Sequence, residues 1–477
     1  MLVHSLLDDA VTAAPSAPAV RDIAGVWNYR ETADYSHAVA AWLRDRGIGP
    51  GDHVAALLPT VRETVALMFG VSRRGAVFVP LNPAMKEFHL RSVLANAEPK
   101  LVVRDVAEFW PDVEARLGTQ APPVDVRPDD IAVLIYTSGS TAAPKAVICP
   151  HRQMTFATEA IQAELGYRPD DVVFCRFPMY WDYGLYKVLL SCLGRSQIVL
   201  AGTESDLLLL KRMREVGATI VPIVPSLASM IVTLAERDRE PAPPVRMFTN
   251  TGAALPAATI DRLRRFFPGA RIVRQFGQTE CKRISIMPPD QDRERPDSVG
   301  RPLRGTRVLI LDADGGELPP GEVGEIVVTG PHVMPGYWRA PELSARTFRR
   351  DERTGALRLH TGDYGYLDED GYLYFVGRRD DMFKRKGIRM STLEIEAAAM
   401  DIPGVRAAAA IPPSGERDLT LCAETDLEPH VVLRELAKRL EPQKVPAACY
   451  VFDELPLTDH GKNATRRLAE MLEGAGR

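Results

Sequence analysis

Residues 136–147 read YTSGSTAAPKAV, and the five positions from Thr137 to Thr141 hold four hydroxyls and one glycine ahead of Pro144 and Lys145. Donors packed that densely beside an ammonium suit a chain of phosphate oxygens. The stretch lacks the G-x-x-x-x-G-K-[ST] spacing of the common nucleotide loop, so that mechanism does not transfer to it. A second cluster is FPMYWDYGLYKVLL at 177–190, where Asp182 stands among Tyr180, Trp181, Tyr183 and Tyr186. A carboxylate among aromatic rings needs a cationic partner or takes up a proton. A third, QFGQTECKRI at 275–284, sets Glu280 two residues before Lys282 and Arg283.

The elements that must carry these residues follow from pattern. Residues 33–47 have helical spacing and end at a glycine, HVAALLP at 53–59 is a short apolar strand stopped by proline, RETVALMFGVSRRG suggests a helix and AVFVPLNP a strand. That alternation predicts a parallel sheet with helices on its faces. The longest apolar run, 218–235, contains two prolines and predicts a buried strand leading into a helix, not a membrane span. From about residue 297 the texture shifts to β-rich segments punctuated by D-G, G-G and P-G turns, a smaller β unit on the α/β body. After GRRDDMFKRKG a boundary is expected at Asp380, dividing the chain into 1–379 and a small α+β domain at 380–477.

Composition excludes several classes. A chain of 477 residues is too long for one compact core. The net charge is −4, and it hides no basic region: residues 381–477 hold 14 Lys/Arg against 16 Asp/Glu, the remainder 45 against 47. A nucleic-acid partner is not expected. Six scattered cysteines form no C-x-x-C pair and predict reduced, mostly buried thiols. The opening MLVHSLLDDAV has acids where a signal peptide carries basic residues, so a cytoplasmic protein is expected, with no membrane partner.

Order then adds what single motifs lack. YTSGST at 136, NTGAAL at 250, QFGQTE at 275, GYW at 336, LHTGD at 359, GRRDD at 377 and LTDHGK at 457 occur in one direction. This series resembles the adenylate-forming superfamily of acyl-CoA synthetases, firefly-type luciferases and adenylation domains of nonribosomal peptide synthesis, from about residue 25 to residue 467. The resemblance implies a large α/β domain with a β-rich subdomain, a mobile C-terminal domain hinged at Asp380, and two steps: a carboxylate joined to the α-phosphate of ATP, then passed to a thiol. By that resemblance Thr137, Ser138, Gly139, Ser140 and Thr141 wrap the β- and γ-phosphates with Lys145 behind them. Gly252, Ala253 and Ala254 run beside the adenine, Phe276 stacks on its other face between Gln275 and Gly277, and Asp363 accepts the ribose hydroxyls with help from Arg378. Thr279 faces the α-phosphate, and Glu280 holds Mg2+. Lys462 is the catalytic cation, placed between carboxylate and phosphate to offset their repulsion. Ala142 and Ala146 stand where the family usually has glycine, a stiffer loop with its phosphate-facing residues kept.

The acid is read from the second cluster. Amino-acid-activating members place an aspartate near Asp182 to hold the substrate ammonium; the alternative is that Asp182 caps the following helix. WDYGLY paired with TECKR resembles free-standing enzymes that load β-amino acids onto a discrete carrier protein for polyketide starter units. Lys282 and Arg283 then either grip a second carboxylate, or pair with internal acids such as Asp182 or line the start of the strand RISIMPP. Gly277, Thr251, Met179 and Ile284 are further candidates for the acid pocket. The expected activity is ATP-dependent formation of an aminoacyl-AMP, of a β-amino or other non-α-amino acid, with transfer to a carrier-protein thiol. The alternative is an acyl-CoA ligase using coenzyme A, with Arg385 and Lys386 near the acceptor tunnel in either case.

Overall fold

The computed structural model describes residues 1–477 except 86, 138–144, 203–204, 253, 290, 379–381, 386–387, 415–416, 441, 443, 457–463 and 476–477. Asp380 and Lys462 therefore lie outside the described residues, as do Ser138, Gly139, Ser140, Thr141 and Ala253.

The alternating half of the chain builds two sheets. In the first, Leu101–Val103, His53–Ala56, Val77–Pro80 and Ile131–Thr137 run parallel, and Lys145–Pro150 closes one edge antiparallel. In the second, Gln197–Leu200, Val172–Cys175, Ile220–Ile223, Met247–Asn250 and Arg271–Phe276 are parallel neighbours in that order. The apolar run at 218–235 is the strand Ile220–Ile223 followed by the helix Pro225–Arg237, with Pro225 in its first turn, where the missing N–H costs nothing. The predicted helix at 33–47 starts earlier, at Tyr29, because Asn28 and Glu31 form a reciprocal capping box.

The β-rich stretch is not a separate sheet. Ser285–Ile286 pairs antiparallel with Arg271–Phe276, and Ser298–Pro302, Leu373–Arg378, Leu357–Leu367, Gly324–Thr329 and Arg307–Leu311 extend the same hydrogen-bonded array. Past residue 390 the helix Thr392–Met400, capped by Ser391, accompanies a three-stranded sheet of Val405–Ile411, Thr420–Thr425 and Ala448–Phe452. Among the described residues, no apolar core cluster mixes side chains from before residue 376 with side chains from after residue 382. All six cysteines are buried free thiols. No helix among the described residues is long and apolar enough to cross a membrane.

The helices Tyr29–Asp45 and Arg62–Arg73 approach so closely that a Cβ on Gly70 would lie 2.3 Å from Val39 Cγ1 and 2.9 Å from the Ser36 carbonyl. Helix propensity favours alanine there by roughly 1 kcal/mol, but overpacking against a fixed neighbour costs about 1–3 kcal/mol. Gly70→Ala is expected to lower the urea midpoint of the N-terminal transition, and an unchanged midpoint would show that the helices can part at no cost.

Candidate functional site

The parallel strands direct their carboxyl ends to one edge of the sheet. Asn250 lies beside Ile223 on one side and Arg274 on the other, so the segments after Cys175, Ile223, Asn250 and Phe276 emerge side by side. The acid cluster at 177–183, Thr251–Ala254 and the turn at 277–283 leave from these ends, where open α/β sheets bind ligands.

The turn at 277–283 is the tightest feature of this edge. Ile284 N donates to Phe276 O at 2.8 Å, and Cys281 N and Lys282 N both donate to Gln278 O, at 3.0 and 2.7 Å. Lys282 sits at φ +65°, a conformation that is uncommon for a side chain other than glycine or asparagine. A Cβ on Gly277 would be 2.4 Å from Lys282 O and 2.6 Å from Arg283 Cα. Only glycine lets the strand fold back this closely.

One end of the turn carries Glu280. Its buried carboxylate accepts from Lys145 Nζ at 2.8 Å and from the Tyr337 hydroxyl at 2.6 Å, and Lys145 Nζ also lies 4.4 Å from the centre of the Tyr337 ring. Burial alone would raise the Glu280 carboxyl, but the Lys145 charge and the two hydrogen bonds outweigh it and hold the group below its usual range. The backbone explains how these three meet. Thr137 and Lys145 are paired on the antiparallel edge strands of the first sheet, and Lys145 there reaches Glu280. Ile148 N donates to Gly336 O and Trp338 N to Ala146 O, which lays GYW along the same strand.

On the nucleotide side, Asp363 and Arg378 face each other across neighbouring strands, 3.2 Å apart. Gly362 takes φ +70°, and Asp363 N donates to the Thr361 hydroxyl, which itself donates to Ile326 O. The T-G-D turn thereby fixes a buried carboxylate. The Phe276 ring packs on Phe375, centres 5.1 Å apart. Gly252, at φ +87°, and Ala254 are exposed at the neighbouring strand end, and Thr279 and Thr251 are half-buried.

The other end of the turn carries Lys282 and Arg283, only 1% and 6% exposed. Lys282 Nζ donates to the Cys149 thiol at 3.4 Å and lies 5.4 Å from the Tyr186 ring centre. Arg283 donates to Gln275 Oε1 at 2.9 Å and to the Lys282 carbonyl, with its guanidinium 5.0 Å from the Tyr183 ring centre. Among the described residues neither cation has a carboxylate within ion-pair distance, so pairing with Asp182 or another internal acid is not what the fold provides. Asp182 is the half-buried first residue of the helix Asp182–Gly194, whose cap is Trp181 with no side-chain cap bond. The capping reading of Asp182 is therefore not the observed arrangement. Gly184 lets this helix rest on its own entry segment, since a Cβ there would meet the Phe177 and Pro178 carbonyls at 2.5 and 2.3 Å.

Sequence reasoning missed three participants, Tyr337, Gln278 and Lys187, and left the Tyr186 hydroxyl without a role. Tyr337 was visible only as part of GYW. The Tyr186 hydroxyl and the Gln278 and Gln275 side-chain nitrogens are buried without a hydrogen-bond partner among the described residues, a cost normally met by a ligand or water. Lys187, a single lysine in an apolar helix, is 1% exposed behind this pocket. Arg385 departs from its expected role at an acceptor tunnel: it is buried in a bidentate pair with Asp418 at 2.7 and 2.8 Å and donates to Val445 O. Met179 and Ile284 are buried.

The family model for AMP-binding enzymes matches residues 7–338. Among relatives, the salicylyl-CoA synthase / salicylate adenylyltransferase of a Streptomyces species is 30% identical, across 94% of this chain and 89% of its own length. A Salinispora arenicola protein designated nonribosomal peptide synthetase CymA is 31% identical across 98% of this chain, which spans only 6% of that much longer protein. Among solved structures, VinN is 56% identical with a TM-score of 0.76, over 79% of this chain and 99% of VinN, and has also been solved with L-aspartate and with 3-methylaspartate. MatB from Rhodopseudomonas palustris, solved with ATP bound, is 28% identical with a TM-score of 0.86 over 99% of both chains. The motif order, the ligand-facing sheet edge and the family match over most of the chain lead to one conclusion: this chain belongs to the AMP-binding enzyme family and is an ATP-using, AMP-forming ligase.

Proposed function

We propose that the ligase activates an amino dicarboxylic acid of the aspartate class, and that Asp182 holds its ammonium while Lys282 and Arg283 hold the carboxylate that does not react. The observation that carries this reading is the pair of buried cations, Lys282 and Arg283, with no acidic partner among the described residues. Burying such charge costs several kcal/mol unless an anion compensates it, and a substrate carboxylate is the anion this pocket lacks. The VinN complexes with L-aspartate and 3-methylaspartate support the same class. An aspartate held by its ammonium and α-carboxylate presents its β-carboxylate to the nucleotide. The activated acyl group is then a β-amino acyl group, which agrees with the resemblance to β-amino-acid-loading enzymes.

In this proposal the chain's own residues divide the work of bringing two anions together. Thr137, Ser138, Gly139, Ser140, Thr141 and Lys145 bind the outer phosphates. Gly252, Ala253, Ala254, Gln275, Phe276 and Gly277 hold the base, and Asp363 with Arg378 holds the ribose. Thr279 faces the α-phosphate. Glu280 is a buried, ionised oxygen donor, which suits Mg2+ as one ligand beside phosphate oxygens; when bound, the ion supplies charge neutralisation along the phosphates. For Glu280 to serve it, Lys145 must exchange its carboxylate partner for phosphate oxygen. Lys462 then bridges the attacking carboxylate and the α-phosphate from a C-terminal domain beginning at residue 380 and turning about Asp380. The separate apolar cores before residue 376 and after residue 382 support that division. The adenylate passes to the phosphopantetheine thiol of a carrier protein. Coenzyme A is the second reading, favoured by the likeness to the salicylyl-CoA synthase.

Pyrophosphate exchange with L-aspartate, 3-methylaspartate, β-alanine, succinate and salicylate tests the acid. Exchange should be strongest with the aspartates. Equal rates with succinate would remove the ammonium role of Asp182, and equal rates with β-alanine the second-carboxylate role. Arg283→Met should raise the aspartate KM by about 10–100-fold, since one hydrogen bond to a charged group is worth roughly 1.5–3 kcal/mol. Asp182→Asn should do the same for amines while leaving succinate unaffected. Lys462→Ala should cut the exchange rate by roughly 10²–10³, the loss of one donor aimed at developing charge, with aspartate binding by calorimetry retained; an undiminished rate would sink the assignment. Acylation of a pantetheinylated carrier protein and of coenzyme A, run side by side, decides the acceptor.

A further inference from the structure

Behind Tyr183 lies a third cation. Lys187, one helical turn after Tyr183, has its Nζ 3.3 Å from the Tyr167 hydroxyl and 4.5 Å from the centre of the Tyr183 ring. Arg283 stands 5.0 Å from the centre of that same ring. The Tyr183 hydroxyl is anchored on Thr249, donating to its carbonyl at 2.6 Å, so the ring is a fixed partner shared by the two cations. Among the described residues, the charged or titratable groups facing Lys187 are Tyr167 and Cys175 from the sheet side, Tyr183 and Asp182 from its own helix, and Arg283 from the turn. No carboxylate lies within ion-pair distance of it. Burial keeps Tyr167 and Tyr183 as neutral phenols and pushes the Cys175 thiol up to about 11. The pocket thus gathers three basic side chains against one half-buried acid.

Such a cluster sheds charge at its cheapest point. An arginine cannot release its proton; a lysine can. Burial, helped by the Arg283 charge and opposed by Cys175 and Asp182, brings the Lys187 ammonium down to about 7. An incoming carboxylate reverses the balance, because it offsets the Arg283 charge that opposes protonation of the amine.

We propose that Lys187 is a proton-linked positioning residue for substrate selection: it takes up a proton when a carboxylate docks at Lys282 and Arg283, and so favours acids bearing a second carboxylate. This rests on the aspartate-class reading above. The sign follows from linkage. A group whose pKa is higher in the complex than in the free enzyme strengthens binding fully below the free value, and the gain is lost as pH rises toward the bound value. Affinity for a dicarboxylate therefore falls above pH 7, by up to tenfold per unit. Lys187 touches neither substrate nor nucleotide in this scheme; it acts through Tyr183 and Arg283.

The test is calorimetric titration of the full-length enzyme with L-aspartate at pH 6 to 8.5, each pH in two buffers of different ionisation enthalpy. The wild type should take up about half a proton at pH 7 and close to one at pH 8. Lys187→Arg, permanently charged, should bind without uptake and with a pH-flat affinity, whereas Lys187→Met should bind more weakly, also without uptake. Aspartate binding in the wild type with no uptake, or uptake unchanged in Lys187→Arg, overturns the role of Lys187 and leaves the substrate reading intact. If the wild type fails to bind aspartate yet exchanges pyrophosphate with a monocarboxylic acid, the substrate reading falls, and this proposal with it.

Discussion

The site depends on buried positive charge that no carboxylate among the described residues neutralises. Lys282 and Arg283 enter the interior because the strand Arg271–Phe276 turns back on itself within seven residues, and that turn closes only around Gly277. Thiol, amide and aromatic faces surround the two cations without supplying an anion. These contacts soften the desolvation penalty but do not cancel it.

Lys145 and Cys149 lie four residues apart on one strand, and they meet Glu280 and Lys282 respectively. One strand therefore touches both ends of the turn. In the structure described, Lys145 is ion-paired with the buried Glu280 carboxylate, and its charge helps to hold that carboxyl below its usual range.

The β-rich region contributes through continuity. Because its strands extend the hydrogen-bonded array past Ser285–Ile286, Asp363 and Arg378 are held in fixed register with the Phe276 end of the parallel sheet. The packing of Phe276 on Phe375 is the side-chain counterpart of that join.

Much of this was legible in the residues alone. The alternating apolar segments determined an α/β body, since strands buried on both faces and helices buried on one leave different periods. The string of seven motifs determined the family, because phosphate, ribose and metal chemistry demand particular side chains in a particular chain order. Asp182, Glu280, Lys282 and Arg283 could be singled out for the same reason. Tertiary structure alone decided which of them are neighbours. Lys145 pairs with Glu280 across 135 residues, and Tyr337 joins them because GYW lies along a strand of another segment. Arg385, adjacent in sequence to residues expected at a tunnel, is consumed by Asp418 instead. Whether a buried charge meets a carboxylate, as with Arg385, or meets none among the described residues, as with Arg283, depends on distances between segments far apart in the chain, and no local pattern encodes those distances.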